Sequence, residues 1–129
     1  MATVMVVDDT TVIRDTVAKL LRREGFETVC ASNGKEALEA MKSHRPDLVL
    51  LDLMMPEMDG IACLDALAHD PQLQNLPVIM MTAVADEGYE TKARELGVKD
   101  YLVKARFSVG EMLDQVKRHC ATAGAAQHN

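Results

Sequence analysis

The chain has 129 residues, 48% of them apolar and 3% aromatic, with 20 Asp plus Glu against 14 Lys plus Arg for a net charge of -6. That is one domain's worth of chain, able to bury roughly two-thirds of its unfolded surface without a disulfide or structural metal. The longest basic runs are the pairs Arg22-Arg23 and Lys117-Arg118, too little for phosphate-backbone binding. No apolar stretch reaches the ~20 residues of a membrane span and no basic leader precedes one, so the expectation is a cytoplasmic protein with no direct nucleic-acid binding and no membrane insertion.

Thr3 to Val7 is an apolar, β-branched run that stops at Asp8-Asp9, which predicts a buried strand with acidic residues at its carboxyl end. From Thr11 the period changes: Ile13, Val17, Leu20 and Leu21 share one helical stripe, and Gly25 is placed to stop the helix. Glu27 to Ala31 is a second strand. Asn33, with Glu36 three residues on, caps a helix through Ala37, Leu38 and Met41 that is over by Pro46. Leu48 to Leu51 is apolar at every position, as a strand covered on both faces must be, and it ends at Asp52. After a loop containing Pro56, Asp59-Gly60 starts a helix with Ile61, Leu64 and Leu67 inward, closed by Asp70-Pro71. Pro77 to Met81 is a continuous apolar strand ending at Thr82, Asp86 to Leu96 a more polar helix stopped by Gly97, and Asp100 to Val103 a fifth strand ending at Lys104. Ser108 and Glu111 form a capping box for a last helix carrying Val109, Met112, Leu113, Val116 and Cys120 on one stripe. The segment from Ala121 reads as a frayed tail, giving a domain over 1–121 and a short flexible tail over 122–129.

Strands alternating with helices predict a parallel sheet wound on both faces, since each parallel crossover needs a helix. At this length the expected class is a flavodoxin-like α/β fold: a doubly wound five-stranded sheet, order 2-1-3-4-5, with five helices. Ligands in such sheets bind outside the carboxyl ends of the strands, where strands one and three meet. The residues at those ends are Asp8, Asp9, Asp52, Thr82 and Lys104. Each alone is an ordinary turn or capping residue, but three carboxylates together repel, two at ~4 Å by about 4 kcal/mol at an effective dielectric near 20. A cation is therefore expected, and hard oxygen ligands with water access suit Mg²⁺. A carboxylate beside Mg²⁺, with an ammonium and a hydroxyl converging on it, suits phosphoryl transfer: Asp52 as nucleophile, Lys104 neutralising charge and Thr82 donating a hydrogen bond.

Val6-Val-Asp-Asp9, Leu50-Leu-Asp-Leu-Met-Met-Pro-Glu-Met-Asp-Gly60, Met81-Thr-Ala83 and Asp100-Tyr-Leu-Val-Lys104 resemble, in order and spacing, the receiver domain of two-component response regulators, across residues 3 to about 120, and in particular its chemotaxis-regulator-like single-domain type. The resemblance implies that Asp52 is the phosphoacceptor, taking phosphate from a phosphohistidine on a histidine kinase or phosphotransfer protein. It implies a Mg²⁺ site made by Asp9, Asp52 and the backbone carbonyl of Met54, with Asp8 acting largely through water. Thr82 and Tyr101 would be the switch pair, and the fourth and fifth helices with the fifth strand the output surface for a downstream protein target. Such a domain is not an enzyme in the usual sense but catalyses its own Mg²⁺-dependent phosphorylation and slow dephosphorylation, and the resemblance allows a phosphorylation-dependent dimer.

Two positions depart from the family pattern. Lys104-Ala-Arg-Phe107 lacks the usual proline after the lysine and carries one extra residue before Phe107; a cis bond without proline costs about 2.5 to 4 kcal/mol, so the joint is expected to be either trans with a rearranged loop or a strained cis bond. Val98 replaces a frequent alanine and is expected to crowd the neighbouring helix. Met54 and Val84, flanking the phosphoryl position, are apolar and cannot orient an attacking water, which predicts a long-lived phosphoryl state.

Competing readings are weaker. An aspartyl phosphatase needs a second acid two residues after the nucleophile, where Met54 stands; a flavin-binding relative would meet repulsion from Asp8-Asp9. A pseudo-receiver that only binds proteins is the alternative, against which the complete acidic, Thr and Lys set argues. Cys30, Cys63 and Cys120, far apart and in no C-x-x-C spacing, are expected to be small buried hydrophobes. His44, His69, His119 and His128 show no zinc-ligand spacing. Met80 and Met81 are read as core filler.

Overall fold

In the computed structural model, which describes residues 2–53, 55, 58–83 and 85–128, with side chains described only as far as residue 120, five strands and five helices alternate. They are β1 (Thr3–Val7), α1 (Thr11–Arg23), β2 (Glu27–Ala31), α2 (Gly34–Ser43), β3 (Leu48–Leu51), α3 (Gly60–Ala68), β4 (Val78–Thr82), α4 (Glu87–Glu95), β5 (Asp100–Val103) and α5 (Val109–His128). All strand pairs are parallel, in the order β2-β1-β3-β4-β5. This is the doubly wound arrangement expected from the alternation of apolar runs and helical stripes.

The two faces of the sheet build two cores, and the period of two along each strand sorts the side chains between them. Met5 and Val7 of β1, Val49 and Leu51 of β3, and Val78 and Met80 of β4 pack with Ala37 and Met41 of α2, Cys63, Leu64 and Leu67 of α3 and Ala93 of α4. The intervening residues Val4, Val6, Leu48, Leu50, Ile79 and Met81 pack on the other face against Val17 and Leu21 of α1 and Met112, Val116 and Cys120 of α5. The central strands are thus apolar at every position because neither face sees water. Met80 and Met81 are indeed core residues, one on each face. Cys63 and Cys120 are buried as expected, whereas Cys30 on the edge strand β2 is only half-buried.

The helix ends follow the local chemistry. Gly25 and Gly97 both adopt φ 94°, the left-handed conformation that glycine takes without a Cβ penalty. At each, paired hydrogen bonds close the helix: Gly25 N–H to Arg22 and Phe26 N–H to Leu21, then Gly97 N–H to Arg94 and Val98 N–H to Ala93. Val98 is therefore the hydrophobic residue of a Schellman stop. It is buried in the same core as Ala93, so the side chain that sequence suggests would crowd the helix instead seals its end. Asn33 Oδ1 accepts from Glu36 N–H at 2.8 Å, while the Glu36 carboxylate reaches back to Ser32. The helical backbone of α5 runs through residues 121–128, where sequence places a tail; alanine, the strongest helix former, occupies four of those positions.

The joint after β5 is also decided. No described peptide bond is cis, so Lys104–Ala105 is trans. Arg106 N–H donates to the Val103 carbonyl at 2.8 Å, closing a turn. Of the two conformations open to this sequence, the chain takes the one that costs no isomerisation energy.

Candidate phosphoacceptor site

The ladder that builds the sheet also places the site. Val7 pairs with Leu51, and one residue on, Asp52 N–H donates to the Val7 carbonyl at 2.9 Å while Asp8 N–H donates to Ala31 at 3.1 Å. Thr82 is the last residue of β4, and its carbonyl accepts from the backbone N–H of Lys104 at 2.7 Å. Asp8, Asp52, Thr82 and Lys104 therefore leave the carboxyl edge of four neighbouring strands, anchored by main-chain bonds.

One carboxylate oxygen from each of Asp8, Asp9 and Asp52 lies within 4.8 Å of the others. Asp8 is 1% exposed and Asp52 7%, whereas Asp9 is exposed. Lys104 Nζ lies 3.0 Å from Asp8 Oδ2 and 4.0 Å from Asp52 Oδ1. The other Asp8 oxygen, Oδ1, accepts from Thr10 N–H at 2.8 Å. Both Asp8 oxygens are thus engaged within the protein, and the direct pairing of Asp8 with Lys104 has no signal in the sequence. Thr82 is fully buried and Tyr101 is 7% exposed; burial first, then the nearby acids Glu90 and Asp86, pushes the Tyr101 phenol up from its ordinary pKa. Met54 and Val84, expected to flank the reacting group, lie outside the described residues.

Two further residues shape the site. Arg14 on α1 donates from Nη1 to the Asp8 carbonyl at 2.8 Å. Gly60, at the start of α3, donates its N–H to the Leu53 carbonyl at 2.7 Å. A Cβ at Gly60 would stand 2.6 Å from the Asp52 carbonyl oxygen and 2.8 Å from Leu53 Cα. In the sequence Gly60 stands as a helix start and as the last residue of the Leu50 to Gly60 motif, with no sign of its contact with the Asp52 backbone. Arg14 carries no motif; the one available hint is that it sits a turn beyond Thr10, on the helix that opens beside the acidic pair.

The donor set fits a hard divalent cation. It offers three carboxylates, no soft ligand, and water access at Asp9, as Mg²⁺ requires. Among the described residues no other group of three such ligands comes together, and no helix is long and apolar enough to cross a membrane.

Fold and site together define a doubly wound α/β domain of the flavodoxin-like class, with an acidic cluster, a threonine and a lysine at the carboxyl edge of its 2-1-3-4-5 sheet. Residues 4–117 match the response regulator receiver domain. A polar-differentiation response regulator DivK from Brucella anthropi is 35% identical over 120 residues, covering 93% of this chain and 97% of that protein. Among solved structures, the Vibrio cholerae chemotaxis protein CheY4 superposes with a TM-score of 0.84 at 30% identity, covering 92% of this chain and 98% of that one. The BeF3-activated receiver domain of Klebsiella pneumoniae RstA gives 0.83 at 26% identity, over 92% and 97%. The chain belongs to the response regulator receiver family of two-component signalling. Receiver domains generally bind Mg²⁺ at an acidic pocket, and membership implies a histidine kinase or a phosphotransfer protein as partner.

Proposed function

We propose that this protein is a phosphorylation-driven switch in which Asp52 accepts a phosphoryl group from a partner's phosphohistidine. The observation that carries this reading is the convergence of the Asp8, Asp9 and Asp52 carboxylates, close enough to share one metal ion, with Lys104 beside Asp8 and Asp52 and Thr82 buried at the next strand end. A carboxylate oxygen of Asp52 forms the bond to phosphorus as the P–N bond of the donor breaks; the electron pair returns to the donor imidazole, which takes up a proton. Lys104, already beside Asp52, holds positive charge against the transferred oxygens, and the Thr82 hydroxyl donates to one of them. Asp8, Asp9 and Asp52 would hold Mg²⁺, which when bound supplies the remaining charge neutralisation. An apolar groove beside Lys104, lined by Ile13, Leu20, Phe107 and Val109, gives the donor protein a surface to seat on.

The product, an aspartyl phosphate of about two negative charges, carries more charge than the carboxylate and oxygens that reach further toward Thr82 and Lys104, and that difference biases a two-state equilibrium. Tyr101 of β5, buried in the same core as Ala93 of α4, links the site to α4 and β5, which with α5 form the output surface in this reading. Incubation with Mg²⁺ and acetyl phosphate should add the mass of one phosphoryl group to the wild type and none to Asp52→Asn. Equal gain in both, or gain in neither, overturns the proposal, the second outcome leaving a module that only binds proteins. Once formed, the phosphoryl group should be lost slowly, since neither Met54 nor Val84 can position water.

A further inference from the structure

We infer that Arg14 is a positioning residue for the divalent-cation site, acting through the main chain of Asp8 rather than through its charge. The inference rests on the proposed role of Asp8, Asp9 and Asp52 as the Mg²⁺ cradle. β1 ends at Val7, and beyond it the chain must turn from strand to helix while presenting two successive carboxylates. Asp8 N–H still belongs to the ladder, donating to Ala31, but its carbonyl points to α1 and accepts from Arg14 Nη1 at 2.8 Å. A carbonyl and the following N–H lie in one rigid peptide plane, so a guanidinium that holds the Asp8 carbonyl also sets the origin of the Asp9 side chain. The Asp8 carboxylate is independently tied by Thr10 N–H and Lys104. Asp9 is exposed, and the orientation of the peptide before it is the point at which the fold can pre-organise it.

Charge and positioning predict opposite signs. A cation near three carboxylates repels Mg²⁺, so removing Arg14 would tighten binding if its charge were what mattered. Removing a group that orients a metal ligand typically costs 10- to 100-fold in affinity.

The test is titration calorimetry of the metal-free wild type, Arg14→Met and Arg14→Lys with MgCl₂, at low and high salt, with amide NMR shifts of Asp9 and Thr10 followed in the metal-free state. Arg14→Met should bind Mg²⁺ about tenfold more weakly at both salt concentrations, with the Asp9 and Thr10 amides displaced, and Arg14→Lys should fall between. Affinity within about threefold of wild type, or tighter, overturns the inference while leaving the Mg²⁺ site in place. Should Arg14→Met fail to fold, Arg14→Lys decides, with equal affinity counting against the inference. Absence of Mg²⁺ binding by the wild type is a different result, which removes the cation site and this role with it.

Discussion

Lys104 Nζ lies 3.0 Å from Oδ2 of Asp8, a residue 96 positions earlier in the chain and only 1% exposed. The pair spans the edge of the sheet from β5 to β1, passing over β4 and β3, and so closes the floor of the site. A buried carboxylate is tolerated only when its charge is met and its oxygens hydrogen-bonded; here an ammonium and the Thr10 N–H do both.

Lys104→Met should therefore destabilise the metal-free protein as well as impair phosphorylation. Losing a charged hydrogen-bond partner from a buried carboxylate costs about 1–3 kcal/mol. Urea denaturation in the presence of a chelator measures it, and adding Asp8→Asn to Lys104→Met should recover part of the loss. A double variant as unstable as the sum of the two singles would show that the pair is not coupled.

Gly60→Ala should be poorly tolerated although alanine is the better helix former. Its Cβ would stand 2.6 Å from the Asp52 carbonyl oxygen, against backbone that cannot yield as a side chain tip would. Overpacking of this kind costs about 1–3 kcal/mol, and because the displaced atoms belong to Asp52 the rate of acetyl phosphate labelling should fall with it. Unchanged melting and labelling would mean that the loop moves aside freely.

Burial pushes the Cys63 thiol from 9.0 up to about 12 and the Cys120 thiol up to about 11. Both are neutral in folded and unfolded chains below pH 9, where their contribution to stability is fully present. Above it the unfolded thiol ionises first, so stability falls as pH rises from 9 toward those values, by at most ~1.4 kcal/mol per pH unit for Cys63. Cys63→Ala should flatten the alkaline slope of the denaturation midpoint. Thiol labelling at neutral pH should be fastest at half-buried Cys30.

α4 contributes one buried residue, Ala93, to the core, and its remaining ties include exposed ion pairs of Arg94 with Glu90 at 3.0 Å and Asp100 at 3.9 Å. Such pairs contribute about 0–1 kcal/mol. Amides of α4 should exchange with deuterium sooner than those of β3, and phosphorylation should alter them more than those of α2. Protection of α4 equal to that of the central strands would remove it as the moving element.

Much was legible from the sequence by itself. Strand and helix periods, the stops at Gly25 and Gly97, and the run of Asp8, Asp9, Asp52, Thr82 and Lys104 at strand ends are local in origin: the hydrophobic period and the chirality of parallel crossovers leave few ways to wind such a chain. From those the sheet order and the composition of the acidic edge follow. Tertiary structure alone decided which groups pair within that edge. That Lys104 lies closer to Asp8 than to Asp52 depends on the distance between segments 96 residues apart. The Arg14 bond to the Asp8 carbonyl, the room Gly60 leaves for the Asp52 backbone and the sealing of α4 by Val98 span short stretches of chain but depend on the distances set by how each loop leaves its strand or helix. Residue type and spacing carry no record of such distances, because they emerge only when the two cores pack and every buried polar group must find its partner.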